Sequence, residues 1–261
     1  MLPRLLSTLV MAPVFLASIW FGAPYFEIVV GILAIIAATE LLSVTAGSWR
    51  SMGALGAVLL YAISLAFYMV GMHSFFWGAA IISAVISLLV SRAENGNRVW
   101  GGGGVIYLLI ANYAVFEIHD WVPAGRDWIF WFFAIVWAAD IGAYLVGKTI
   151  GGPKLAPTIS PGKTWSGTIG GLAAALAVSA VFSTTIFKEQ GIVDFLLLGT
   201  VVGVASQLGD LLESYFKRMN DVKDSGAIIP GHGGVLDRID GVLLAAPVAW
   251  FLIPLVTGTP A

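Results

Sequence analysis

The sequence predicts an all-α polytopic integral membrane protein with about nine transmembrane helices, and three observations predict it. Of 261 residues, 59% are apolar and 11% are charged, against roughly 25% charged in an ordinary soluble domain. Thirteen basic and 15 acidic side chains cannot coat a water-soluble globule of this length, so most of the exterior must face lipid. Apolar windows long enough to cross a hydrocarbon core of about 30 Å, about 20 residues in a helix, recur along the chain. The lack of cysteine excludes disulfides, thiolate metal sites and a cysteine nucleophile, which leaves oxygen and imidazole as metal ligands. A net charge of -2 argues against nucleic acid as a partner.

Nine windows are read in order, at roughly 5–21, 28–46, 52–72, 74–91, 102–118, 128–147, 167–187, 192–212 and 241–257. The first follows Arg4 and has the look of a signal peptide, but Pro24 after Gly22 and Ala23 is a poor cleavage context, so it is read as a helix. The third and fourth divide at Gly71 to Ser74, and the fifth opens in the glycine run Gly101 to Gly104. Basic residues, which played no part in finding the windows, then set the orientation. Arg4, Arg50, Arg92, Arg98, Lys148, Lys154, Lys163, Lys217, Arg218, Lys223 and Arg238 fall on the amino-terminal side, leaving only Arg126 and Lys188 opposite. The positive-inside rule therefore puts the amino terminus in the cytoplasm and, with an odd helix count, the carboxyl terminus outside. With no internal repeat and no low-complexity tract, residues 1–261 read as a single transmembrane domain.

Two cytoplasmic connections, 148–166 and 213–240, are long for links between helices, and long loops on compact proteins tend to be functional. The second holds Glu213, Lys217, Arg218, Asp221, Lys223, Asp224, Asp237, Arg238 and Asp240, nine of the 28 charges in 28 residues. Within the windows, Glu40, Asp140 and Asp210 fall in the cytoplasmic half and Glu117 near the outer end of the fifth. An ionisable group at the centre of a membrane helix costs about 2.5 to 3.5 kcal/mol on insertion scales, so these acids are functional candidates, and Glu40, Asp140 and Asp210 are expected to floor a polar cavity open to the cytoplasm.

Asp210 ends the eighth window, while Asp237 and Asp240 open the ninth helix three residues apart, on one helical face. Acids in a first turn also complement the helix dipole, which is the plainer reading of Asp240. Clustered carboxylates without thiolates suit a hard cation, Mg²⁺ above all. Interleaved lysines and arginines suit phosphates, and the combination describes phosphoryl or nucleotidyl transfer. In Pro230-Gly231-His232-Gly233-Gly234 the missing side chains let backbone N–H groups approach an anion. Thr158 to Trp165 contains Gly162-Lys163-Thr164 but is no P-loop, because Pro157 stands where the first glycine belongs. Lys163 is read as a phosphate-binding point charge, with Ser160 and Thr164 as hydrogen-bond donors or turn formers. His232 is assigned a phosphate or structural role over general-base work, since a phosphate nucleophile is already anionic.

The run Ser214-Tyr215-Phe216-Lys217-Arg218, then Lys223-Asp224-Ser225-Gly226, then Ile229 through Asp240 resembles the signature of phosphatidate cytidylyltransferases, also called CDP-diacylglycerol synthases, over 27 consecutive positions. Asp140-Ile141-Gly142-Ala143-Tyr144 and Ser160-Pro161-Gly162-Lys163-Thr164-Trp165 look like a second block of that family. Gly162 and Ser166 depart from the lysine and glutamate that many members carry. Residues 1–100 resemble the family only in hydrophobicity, so 101–261 is expected to hold the catalytic helices and loops.

The resemblance implies attack of a phosphatidate oxygen on the α-phosphorus of CTP, giving CDP-diacylglycerol and pyrophosphate. It carries metal binding onto Asp210 and Asp237, with Asp224 and Asp240 next, and implies Mg²⁺ with a second cation such as K⁺. Lys217, Arg218, Lys223 and Arg238 would hold phosphates; Ser160, Lys163, Thr164, Gly233, Gly234 and Asp140 would complete the substrate site. It also implies a homodimer, and CTP at the cytoplasmic face fits a bacterial inner membrane. A CTP-dependent polyprenol or phytol kinase is the nearest alternative enzyme. A cation transporter lined by Glu40, Asp140 and Asp210 is the alternative of another class, although it leaves the charged loop unexplained.

Overall fold

In lipid a backbone must satisfy its own hydrogen bonds, which restricts apolar spans to helices or closed barrels. The computed structural model describes residues 2–92, 97–121, 124–229 and 233–258. Among them are nine helices: α1 (Leu2–Phe21), α2 (Tyr25–Ala46), α3 (Met52–Met69), α4 (His73–Val90), α5 (Asn97–Asp120), α6 (Gly125–Ile150), α7 (Trp165–Thr185), α8 (Ile192–Met219) and α9 (Leu236–Thr257). Eight of them, α2 to α9, are long and apolar enough to cross a membrane, and within α1 the shorter stretch Leu9–Phe21 is apolar. Large apolar side chains such as Leu59, Leu89, Ile169 and Leu197 stay exposed, as lipid-facing positions do.

Helix ends differ from the apolar windows where polar helix formers prolong a span. The eighth helix continues from 212 to Met219 through Glu213, Lys217 and Arg218, so the latter two, expected in a loop, lie in its last turns. There their positive charge meets the negative end of the helix dipole. The ninth starts at Leu236, placing Asp237 in its first turn. The connection 148–166, expected without strands, contains an antiparallel hairpin of β1 (Lys154–Ala156) and β2 (Ser160–Thr164), with Lys154 paired to Thr164 and Ala156 to Ser160.

The chain folds as two units, one of Met1–Asn112 with Phe216–Ile239 and one of Tyr113–Tyr215 with Asp240–Ala261. In the first, α5 packs through the glycines of its opening turns. A Cβ on Gly102 would sit 2.9 Å from the Leu88 Cβ of α4, and one on Gly104 would sit 2.8 Å from a Leu41 methyl of α2. The glycine run thus allows close packing inside a span. Buried polar groups are tied across helices: Asn112 Nδ2 donates to the Tyr61 hydroxyl at 2.8 Å, and Ser83 Oγ to the Ala57 carbonyl at 2.8 Å.

In the second unit α6 and α7 meet backbone to backbone. A Cβ on Gly142 would lie 2.7 Å from the Gly170 carbonyl, one on Gly167 2.8 Å from that of Ala143, and one on Gly171 2.6 Å from that of Ala139. Small residues permit such an approach, and contact dispersion then holds the pair in lipid. The consequence is positional, since the Asp140 to Tyr144 block and the β2–α7 junction belong to this pair.

Candidate functional site

Each unit gathers part of the charged sequence. In the second, β2 delivers Lys163 to α8, where its Nζ lies 2.6 Å from Asp210 Oδ2; the two side chains are 24% and 31% exposed. Ser214 Oγ, one turn further along α8, donates to Asp210 Oδ1 at 3.3 Å. Thr164 adopts an extended conformation and caps α7, its Oγ1 accepting the Gly167 N–H at 3.1 Å. Ser166 lies 3.0 Å from that oxygen and also donates to the Gly151 carbonyl, tying both ends of the hairpin together. Gly209 lies where a Cβ would be 2.6 Å from the Asp240 carbonyl, so α8 and α9 meet beside Asp210. Asp240 Oδ1 accepts the Gly241 N–H at 2.8 Å. Ser160 opens β2 half-buried, and Asp140 is exposed on α6.

In the first unit Lys217 Nζ donates to Asp237 Oδ1 at 2.8 Å, with side chains 12% and 3% exposed. Asp237 also accepts the Ser225 N–H, at 3.0 Å on Oδ2 and 3.2 Å on Oδ1, and the Gly234 N–H at 2.8 Å. Gly233 has φ +85°, open to glycine at little cost, and a Cβ there would come within 2.8 Å of Asp237 Oδ2. Ile229 N–H donates to the Gly233 carbonyl at 2.9 Å and pinches the loop. His232, with Pro230 and Gly231, lies outside the described residues. At the other end of the loop Arg218 Nη1 donates to the Val222 carbonyl at 3.3 Å, beyond a left-handed turn at Asp221 with φ 54°. Arg218, Lys223, Asp224 and Arg238 are exposed.

Glu40 is the residue whose setting sequence reasoning missed. Its intramembrane position singled it out, but nothing in the chain named its partners. Its carboxylate, in a residue only 3% exposed, accepts the N–H of Val235 at 3.0 Å and of Leu236 at 2.8 Å, with the Ser225 hydroxyl at 3.3 Å. Glu40 thus serves the charged loop of its own unit, Asp210 pairs with Lys163, and Asp140 is exposed on α6.

Comparisons with known proteins bear on this arrangement. A phosphatidate cytidylyltransferase of Brucella suis is 41% identical over 170 residues, covering 65% of this chain and 62% of that protein, so less than two thirds of the relative's length is matched. One of Bacillus subtilis is 34% identical over 265 residues, covering 97% of both. One of Pseudomonas aeruginosa is 36% identical over 261 residues, covering 94% of both. The profile described as the cytidylyltransferase family matches residues 2–256, end to end through both units, and the chain belongs to that family.

Proposed function

We propose that this chain is a phosphatidate cytidylyltransferase, which moves the cytidylyl group of CTP onto phosphatidate to give CDP-diacylglycerol and pyrophosphate. The observation that carries the reading is the alignment of the Bacillus subtilis relative of that name along 97% of the chain. The charged loops give it chemical content. A phosphate oxygen of phosphatidate attacks the α-phosphorus of CTP while the bond from that phosphorus to the oxygen bridging to the β-phosphate breaks, and pyrophosphate departs. The lipid phosphate is the assigned ligand of Lys217 and Arg218, and the departing phosphates that of Lys223 and Arg238. Ser160, Lys163 and Thr164 are assigned to the nucleotide, with Gly233 and Gly234 offering backbone.

The acids differ in how well they suit Mg²⁺. Asp210 and the exposed Asp224 present carboxylate oxygens that reach solvent, the hard donors such a cation takes. Asp237 has its lone pairs engaged by Lys217 and two backbone N–H groups, which favours a loop-anchoring part over direct ligation. Asp240 already accepts a backbone N–H. When bound, Mg²⁺ supplies charge neutralisation for the triphosphate, and K⁺ is a second cation in the same reading. A homodimer in a bacterial inner membrane, with amino terminus and charged loops in the cytoplasm and carboxyl terminus outside, completes the proposal.

Incubating the purified protein with phosphatidate and CTP labelled at the α or the γ phosphate tests it. Label reaching lipid only from the α position is expected. Transfer from γ would make the protein a lipid kinase, and transfer from neither would remove it from both classes. Because the chain has no native cysteine, single cysteines at Lys154 and Lys188 give a clean topology test, and the two must react from opposite sides.

A further inference from the structure

We infer that Glu40 is a positioning residue for cytidylyl transfer, one that holds the loop between Lys217 and Asp237 in its working conformation from within a membrane helix. The inference rests on the assignment of that loop to the reaction. A carboxylate removed from water is costly unless nearly all its lone pairs are used. Glu40 meets that condition only through a segment at least 185 positions away, with three donors drawn from Ser225, Val235 and Leu236. Two of these are backbone N–H groups at the start of α9, which are otherwise without an acceptor in their own helix and carry its positive end.

The glycines of the loop are shaped around the same carboxylate. A Cβ on Gly226 would collide with Glu40 Oε1 and lie 2.8 Å from its Cδ, and one on Gly234 would come within 2.5 Å of Oε2. Ser225 joins the two acids, its hydroxyl on Glu40 and its N–H on Asp237. A displacement of Glu40 is therefore passed to Asp237 and to the Lys217 ammonium that Asp237 holds. An apolar residue would fill the same space but leave the buried Val235 and Leu236 N–H groups without an acceptor, so the carboxylate has its use in fixing the loop.

Steady-state kinetics in detergent micelles and unfolding temperatures should be compared for wild type, Glu40→Gln, Glu40→Asp and Asp237→Asn. Glutamine keeps the shape but turns an NH₂ group toward N–H donors. Its kcat is expected to fall about a hundredfold, the loss that a misplacement near 1 Å produces. KM for both substrates should stay within about threefold. Aspartate keeps the carboxylate and should recover about tenfold of the lost kcat. Gly226→Ala should lose activity and regain part of it when combined with Glu40→Asp, whose shorter side chain makes room; this pair decides the matter if Glu40→Gln fails to fold. Normal kcat in Glu40→Gln, or no rescue of Gly226→Ala, overturns the inference. Full activity in Asp237→Asn overturns the assignment of the loop to the reaction, and the inference with it. Loss in Asp237→Asn beside normal kcat in Glu40→Gln overturns the inference alone.

Discussion

The Glu40 carboxylate closes the amino-terminal end of α9, accepting the N–H of Leu236 at 2.8 Å across 196 residues of sequence. Helix capping is usually local, by a side chain adjacent in sequence. Here the cap comes from α2, so the start of α9 and the loop before it are shaped by a helix from the other end of the chain.

Lys217 and Asp237 form a pair almost shut off from solvent. Lys217→Met strands the Asp237 charge and is expected to cost about 3 to 5 kcal/mol of stability, the usual result of removing one partner of a buried pair. Adding Asp237→Asn removes that charge while keeping an acceptor for the Ser225 and Gly234 N–H groups, so the double variant should unfold at a higher temperature than Lys217→Met. Thermal unfolding in detergent measures both.

Gly142 sets how closely α6 approaches α7. Gly142→Leu drives a side chain into the Gly170 carbonyl and is expected to cost about 1 to 3 kcal/mol or to lower the yield of folded protein. Gly162→Ala, with open space around its Cβ, should leave the unfolding temperature unchanged and serves as the comparison.

Thr164 caps α7 directly after Lys163. Thr164→Val should lose about 1 kcal/mol and Thr164→Ser very little, because only the hydroxyl oxygen is needed. Unfolding temperatures of the two variants compared with wild type provide the check.

Lys163 on β2 and Arg218 at the end of α8 should separate the substrates. Lys163→Ala is expected mainly to raise KM for CTP, and Arg218→Ala that for phosphatidate, each by about 1.5 to 3 kcal/mol of lost charge-assisted hydrogen bonding. Kinetics with each substrate varied in micelles decide this. Equal effects of both variants on both constants would sink the division of labour and leave the overall reaction standing.

The membrane class, the helices and the two charged segments were legible in the residue order because they depend on local properties. A span is a count of consecutive apolar residues, and a charged loop is a local excess of charge and glycine. Helix ends were less legible: Lys217 and Arg218 leave the apolar window yet stay helical, since hydropathy reports the solvent of a residue and not its backbone. The hairpin at Lys154 to Thr164 escaped for a related reason. Its strands are three and five residues long and carry no alternation that periodicity can detect.

The sequence by itself determined that this is a helical membrane protein and which residues carry its charge, because composition and spacing are properties of neighbouring positions. Only the tertiary structure decided which charges meet. Glu40 stood out from its own helix as an acid in hydrocarbon, but its partners lie at least 185 positions away, where no local pattern reaches. The need for glycine at 226 and 234 is likewise set only when folding brings the Glu40 carboxylate against them and leaves no room for a side chain. A buried charge must be satisfied by whatever donors the fold supplies, and that choice is made by packing in three dimensions.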